Sequence, residues 1–185
     1  MDIVAHVLWA GAGLAALRRT RAVPQRQLLA GMGLAALPDV MHMLPGVAWW
    51  LLGQGSFASV HGYALALPGA EPAAPPMVEL WAHHLHCTMH SAIIAALLTL
   101  MVWAMTRTFW LPLLGWWSHI VIDVPTHSAD FYPSPVLYPL TQRGFDGLAW
   151  NTPWFVVVNY VALALVGVWL WRRHVNTAKA VLPPR

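Results

Sequence analysis

Five long apolar segments constrain this chain more than any other feature. They lie at about 3–17, 28–52, 81–105, 109–124 and 153–171. A straight transmembrane helix needs ~20 predominantly apolar residues, so the second, third and fifth are near or above that length and the first and fourth fall short. Charge points the same way. Only 9% of the 185 residues are Asp, Glu, Lys or Arg, whereas a soluble domain carries roughly 25%. A chain this poor in charge cannot cover a water-facing surface, and its 12 Trp suit a membrane interface. The expectation is an all-α, polytopic integral membrane protein of about five transmembrane helices, built as a single domain over residues 1–185.

The stretches between the segments are a basic loop (18–27), a long loop (53–80), a tight turn around Arg107 and a second long loop (125–152). The long loops carry the proline-rich runs PGAEPAAPP and YPSPVLYP, which cannot continue helices. Arg18, Arg19, Arg21 and Arg26, then Arg107, then Arg172, Arg173 and Lys179 fall on one side of a five-span chain. The positive-inside rule makes that side cytoplasmic and places the amino terminus and both long loops outside. The apolar run Ile3 to Leu17 precedes the arginine cluster, the reverse of a secretory signal, and is expected to stay as a membrane segment. The formal charge is +3, and its scattered basic residues make no nucleic-acid footprint. Cys87 is the single cysteine, so no internal disulfide forms, and it reads as a small buried apolar residue.

Ten histidines are the anomaly, because several interrupt apolar runs, and ionisable groups inside a membrane mark function by default. The helical rise gives each a height above the inner boundary. Asp39 sits at roughly 16 Å, His42 at roughly 21 Å, His119 at roughly 15 Å and Asp123 at roughly 21 Å. On the descending third segment His86 falls at roughly 23 Å and His90 at roughly 17 Å, with His6 at roughly 23 Å on the first. Four segments thus bring polar residues to one slab, from mid-membrane to the outer leaflet.

The spacings agree. Asp39 and His42 are i, i+3, while His86 and His90, and His119 and Asp123, are i, i+4, so each pair shares a helix face. Helical bundles build metal sites from such imidazole and carboxylate pairs. The ligand types suit zinc, manganese or iron, in one or two ions, and the lack of sulfur argues against a structural zinc site. His127 and Asp130, in PTHSADFYP, extend the set: His127 as a further ligand, Asp130 as a general base. Arg143, basic on the outer side, is a candidate contact for a substrate phosphate. Each residue also has a plainer reading. A lone buried histidine can bond a backbone carbonyl, and an aspartate can pair with a histidine for packing alone. His83 and His84 lie near the interface, His61 and His174 read as solvated, and Ser91 and Thr126 could bond back to their own helices. The Trp pairs at 49–50 and 116–117 read as packing or interface anchors.

The stretches LPDVMH, His86 to Ser91, and GWWSHIVIDVPTHSADFYP resemble the bacterial membrane-bound, metal-dependent hydrolase family, also called LexA-binding, inner-membrane-associated hydrolases. The family pattern of an early His, an LPD-x-x-H run, an H-S pair and an SH-x-x-x-D run falls here on His6, Asp39, His42, His90, Ser91, His119 and Asp123. Many members carry HRG-x-x-HS; this chain has HHLHCTMHS, without the Arg-Gly. The resemblance covers most of the chain up to about Pro139 and implies a bacterial inner-membrane protein.

The expected function is hydrolysis of a phosphoester of a lipid or similar amphiphile near the outer leaflet, by metal-activated water. Two rivals use the same residues: a metal-ion or proton transporter, and a haem-binding subunit with His90 and His119 as axial ligands.

Overall fold

The computed structural model describes residues 1–18 and 20–181; Arg19 of the basic loop and the side chain of Lys179 lie outside the described part. Among the described residues there are seven helices and no strand: α1 (Ile3–Leu17), α2 (Gln25–Leu51), α3 (Phe57–Leu65), α4 (Pro76–Met89), α5 (Ala92–Thr106), α6 (Leu113–Thr126) and α7 (Pro153–Val181). The all-α expectation holds. The count of spans does not reach five. By length and composition α2 and α7 can cross a membrane, and α4 with α5 make a third if that pair, bent by 63°, counts as one span. At 1.5 Å per residue, α1 and α6 are each roughly 22 Å long, short of a ~30 Å hydrocarbon core.

Local chemistry explains the boundaries. Asp2 caps α1 by accepting from the Ala5 N–H at 2.9 Å. The third apolar segment, expected as one helix over 81–105, breaks at His90 and Ser91. Ser91 caps α5 through Ile94 N–H, 3.2 Å away, and donates its hydroxyl to the Tyr138 carbonyl, while Ala92 N–H bonds Val136 O at 2.9 Å. The second long loop thus supplies partners for backbone that a break in an apolar setting would leave bare. The fourth segment starts at Leu113 rather than 109, because Arg107 turns left-handed (φ 56°) and Pro112 follows. The first long loop contains α3, which Ser56 caps through Ser59 N–H at 3.0 Å.

Helix α6 is the hub. Trp116, His119, Ile120 and Asp123 are buried on it, with α1, α2 and α5 packed around it. It meets α2 at Gly31 and Gly115. A Cβ on Gly115 would lie 1.8 Å from the Gly31 carbonyl oxygen, so only glycine permits this approach. From that crossing the two helices run in the same direction, in steps of four residues. One turn on, the His119 ring meets the Ala35 carbonyl, and a further turn brings Asp39 and Asp123 together. Helix α7 closes the bundle against α1, where Trp9 Nε1–H donates to Asn159 at 2.9 Å.

Candidate metal centre

Three histidines are fixed by their Nδ1 atoms. A backbone carbonyl only accepts, so each Nδ1 near one carries the proton. His119 Nδ1–H donates to Ala35 O at 2.7 Å, His90 Nδ1–H to His86 O at 2.8 Å, and His127 Nδ1–H to Tyr132 O. In the neutral ring the Nε2 atom then holds a bare lone pair, the arrangement in which a backbone oxygen orients a metal-binding imidazole.

Those lone pairs converge on the aspartates. His90 Nε2 lies 3.3 Å from Asp123 Oδ2 and 3.7 Å from Asp39 Oδ1. His119 Nε2 lies 3.0 Å from Asp123 Oδ2 and 3.8 Å from Asp39 Oδ1. The two Nε2 atoms are 3.1 Å apart. Ligands 2.0–2.1 Å from a tetrahedral ion stand about 3.4 Å from one another. Five edges of the Asp39, His90, His119, Asp123 figure lie between 3.0 and 3.8 Å, and all four ligand atoms fall within 4.8 Å of one another. The buried Oδ2 atoms of Asp39 and Asp123 make no hydrogen bond, though imidazole nitrogens flank the latter. Imidazole nitrogens and carboxylate oxygens drawn this close together are how ligands of a shared cation are arranged. The four residues could hold a metal ion. Asp123, His90 and His119 are fully enclosed, and the Asp39 side chain is 16% exposed, so the group opens on the α2 side.

No family model, curated protein or solved structure matches the chain.

The remaining sequence candidates divide into three sets. His6 and His127 reach the other oxygen of Asp123, with Nε2 to Oδ1 distances of 2.9 and 3.5 Å, and His6 stacks on His119 at 3.7 Å between ring centroids. His86 and His42 form an adjoining tier: the His86 ring is 4.1 Å from that of His90, and His42 stands edge-on to His86 at 5.7 Å. Asp130 and Arg143 are exposed, and neither is among the contacts that hold the cluster together. The turn after His127 carries Asp130 outward, while Ala129 N–H bonds Asp146 at 2.8 Å. The plainer readings fit the outlying residues. Cys87 is free and buried, Trp116 packs in the core and donates to Met89 O at 2.7 Å, and Thr126 bonds its own helix at Ile122 O. His61, His83 and His174 are exposed. The geometry opposes the haem reading, because His90 and His119 touch directly and leave no gap for a macrocycle.

Residue numbers alone gave no sign of two further contacts. The Met1 nitrogen approaches both Asp123 Oδ1 and His127 Nε2. Tyr132, left-handed at φ 46°, turns its carbonyl to His127 and its hydroxyl to Glu71 at 2.6 Å. Partial burial and the Glu71 charge push the Tyr132 hydroxyl well above the usual tyrosine range. Burial also pushes the Glu71 carboxyl upward, but the hydrogen bond from Tyr132, joined by backbone N–H groups, outweighs it and holds the carboxyl below its ordinary value.

Proposed function

We propose that this chain is an integral membrane protein that binds a divalent metal at Asp39, His90, His119 and Asp123 and hydrolyses a phosphoester of a lipid or similar amphiphile. The observation that carries the reading is the compact set of four ligand atoms, all within 4.8 Å of one another, with unpartnered carboxylate oxygens beside them. Zinc, manganese and iron all accept two imidazoles and two carboxylates. A bound ion would make a water acidic enough to attack at neutral pH and would stabilise charge building on a phosphoryl group. The chain's own residues do the rest. Ala35 and His86 carbonyls hold the two imidazoles in the ligating tautomer. The Asp39 side, where the side chain is 16% exposed, would admit substrate.

An amphiphile is favoured by what adjoins that opening. A pocket bounded by His42, Met43, Trp49, Val60, Tyr63 and Val78 begins one turn beyond Asp39. It shares Trp49 and Val78 with an open apolar groove that Leu44, Met77 and Trp81 line along α2 and α4. A polar head at His42 with an apolar tail in the groove fits this sequence of surfaces. In this reading α1 and α6 also cross, through a bilayer thinned to their length, giving five crossings in one domain, with the amino terminus outside a bacterial inner membrane.

Elemental analysis of purified wild type beside Asp39→Ala and His119→Ala tests the site. Wild type should hold stoichiometric metal and both variants should lose it; a metal-free wild type, or variants that keep the ion, overturns the reading. A screen of lipid phosphates with and without chelator then tests the activity. Metal flux into liposomes without phosphoester turnover would make the site a transport relay instead.

A further inference from the structure

The two oxygens of Asp123 face different partners. Oδ2 faces His90 and His119, as described above. Oδ1 lies 2.9 Å from His6 Nε2 and 3.5 Å from His127 Nε2, and the Met1 nitrogen approaches it as well. His6 is fully buried, and neither of its ring nitrogens makes a hydrogen bond. That is an unusual cost to carry, since a buried polar atom left without a partner is destabilising. Its Nε2 is close to a carboxylate oxygen yet misaligned for N–H···O. His127 is held by the carbonyl of a left-handed Tyr132, which turns its Nε2 inward. Backbone conformations of this kind persist where the surroundings impose them and cluster at functional sites.

We infer that Asp123 bridges two metal ions: one at Asp39, His90 and His119, and a second at His6 and His127 through Oδ1. A carboxylate bridge sets two such ions about 4 Å apart, the spacing of two-metal hydrolytic centres. The remaining corners of the second site would be filled by water.

The second ion changes what the centre attracts. One divalent ion is neutralised by the carboxylates of Asp39 and Asp123. Two divalent ions against the same two carboxylates and neutral imidazoles leave two positive charges. An uncompensated charge at this depth is costly, and a phosphate ester dianion would balance it. The two-ion centre therefore selects an anionic phosphate head group, where a one-ion centre would be indifferent to charge.

The inference rests on the metal reading of the first site, because Asp123 serves both. The test is manganese binding to the full-length, detergent-solubilised chain, stripped with chelator and reloaded, read by elemental analysis and electron paramagnetic resonance. Wild type should bind two equivalents and show the broad signal of a spin-coupled pair. His6→Gln and His127→Gln should each bind one equivalent and show the six-line signal of an isolated ion. Two equivalents in a folded glutamine variant, or the loss of both ions, overturns the inference. Wild type with one uncoupled equivalent overturns it while leaving the first site standing, whereas wild type with none overturns both. Should both variants fail to fold, the wild-type signal decides: coupling supports the pair, and an isolated ion refutes it.

Discussion

Replacing Gly115 by Ala adds one methyl group two helical turns from Asp123 and touches no ligand. Its Cβ would stand 1.8 Å from the Gly31 carbonyl oxygen and 2.7 Å from the carbonyl carbon. Ordinary contact requires roughly 1.5 Å more, and the obstacle is backbone, so α2 and α6 must part by about that amount. Overpacking of this kind costs about 1–3 kcal/mol. The consequence for the site is geometric. His119 Nδ1–H reaches Ala35 O at 2.7 Å one turn along, and an added ~1.5 Å takes that pair beyond hydrogen-bond range. The same separation stretches the 3.8 Å Asp39–His119 edge past what one ion spans. Losing an orienting partner of a ligating histidine costs 10–100-fold in metal affinity, and Gly115→Ala should weaken binding by at least that. Gly31→Ala is the matched control. Its Cβ clashes with Leu14 Cδ1 alone, at 2.3 Å, while the Pro112 backbone stands at ordinary contact, 3.6 Å; a leucine side chain can turn aside, so its effect should be smaller. Competition against a chromophoric chelator measures both affinities, and a melting curve both stabilities. Equal effects of the two variants, or wild-type affinity in Gly115→Ala, would refute the claim that the α2–α6 crossing sets the ligand spacing.

Two further outcomes are expected. Stripping the metal should lower the melting temperature, since an ion at 100 times its dissociation constant stabilises the folded state by about 2.7 kcal/mol; coincident melts with and without chelator would count against a bound ion. In the loops, the depressed Glu71 carboxyl contributes stability that is present above its unfolded pKa of about 4.3 and lost as pH falls through the folded value. Tyr132→Phe should raise the Glu71 titration toward the ordinary range and loosen the segment around it, checked by nuclear magnetic resonance titration and by proteolysis across pH 3–5; an unmoved titration would show that the 2.6 Å contact does not set it.

The part of the site that was legible in the sequence is the part that rests on helical period. Gly31, Ala35 and Asp39 on α2 and Gly115, His119 and Asp123 on α6 are two stripes of four-residue step, each placing a small residue two turns before an aspartate. Such stripes on parallel helices bring their ends together whatever the loops do, which is why the depth arithmetic put Asp39, His119 and Asp123 in one slab. The α1 boundaries were equally legible, since an apolar run between Asp2 and Arg18 has a cap at one end and charge at the other. What failed was whatever depends on distant partners. No proline or glycine marks HCTMHSAI, and the break at His90 is held by carbonyls more than forty residues away, on Val136 and Tyr138. Asp130 was placed by closeness in sequence to His127, but the turn from Ser128 to Phe131 reverses direction and takes it to the surface, and Arg143, placed by its charge on the outer side, is exposed as well.

The break also explains why the third apolar segment contributes at this depth at all. Helix α4 ends at the cluster, so the carbonyls of its last turn, which carry the negative end of the helix dipole, lie beside the site. His86 O takes both the His90 N–H at 3.0 Å and its ring Nδ1–H at 2.8 Å, and Met89 O takes Trp116 Nε1–H. The amino-terminal, positive end of α5 begins at the same break, at Ser91 and Ala92, and offsets the α4 dipole there. The bend that reduces the number of straight crossings lies at His90 itself, whose ring meets His119 in the cluster.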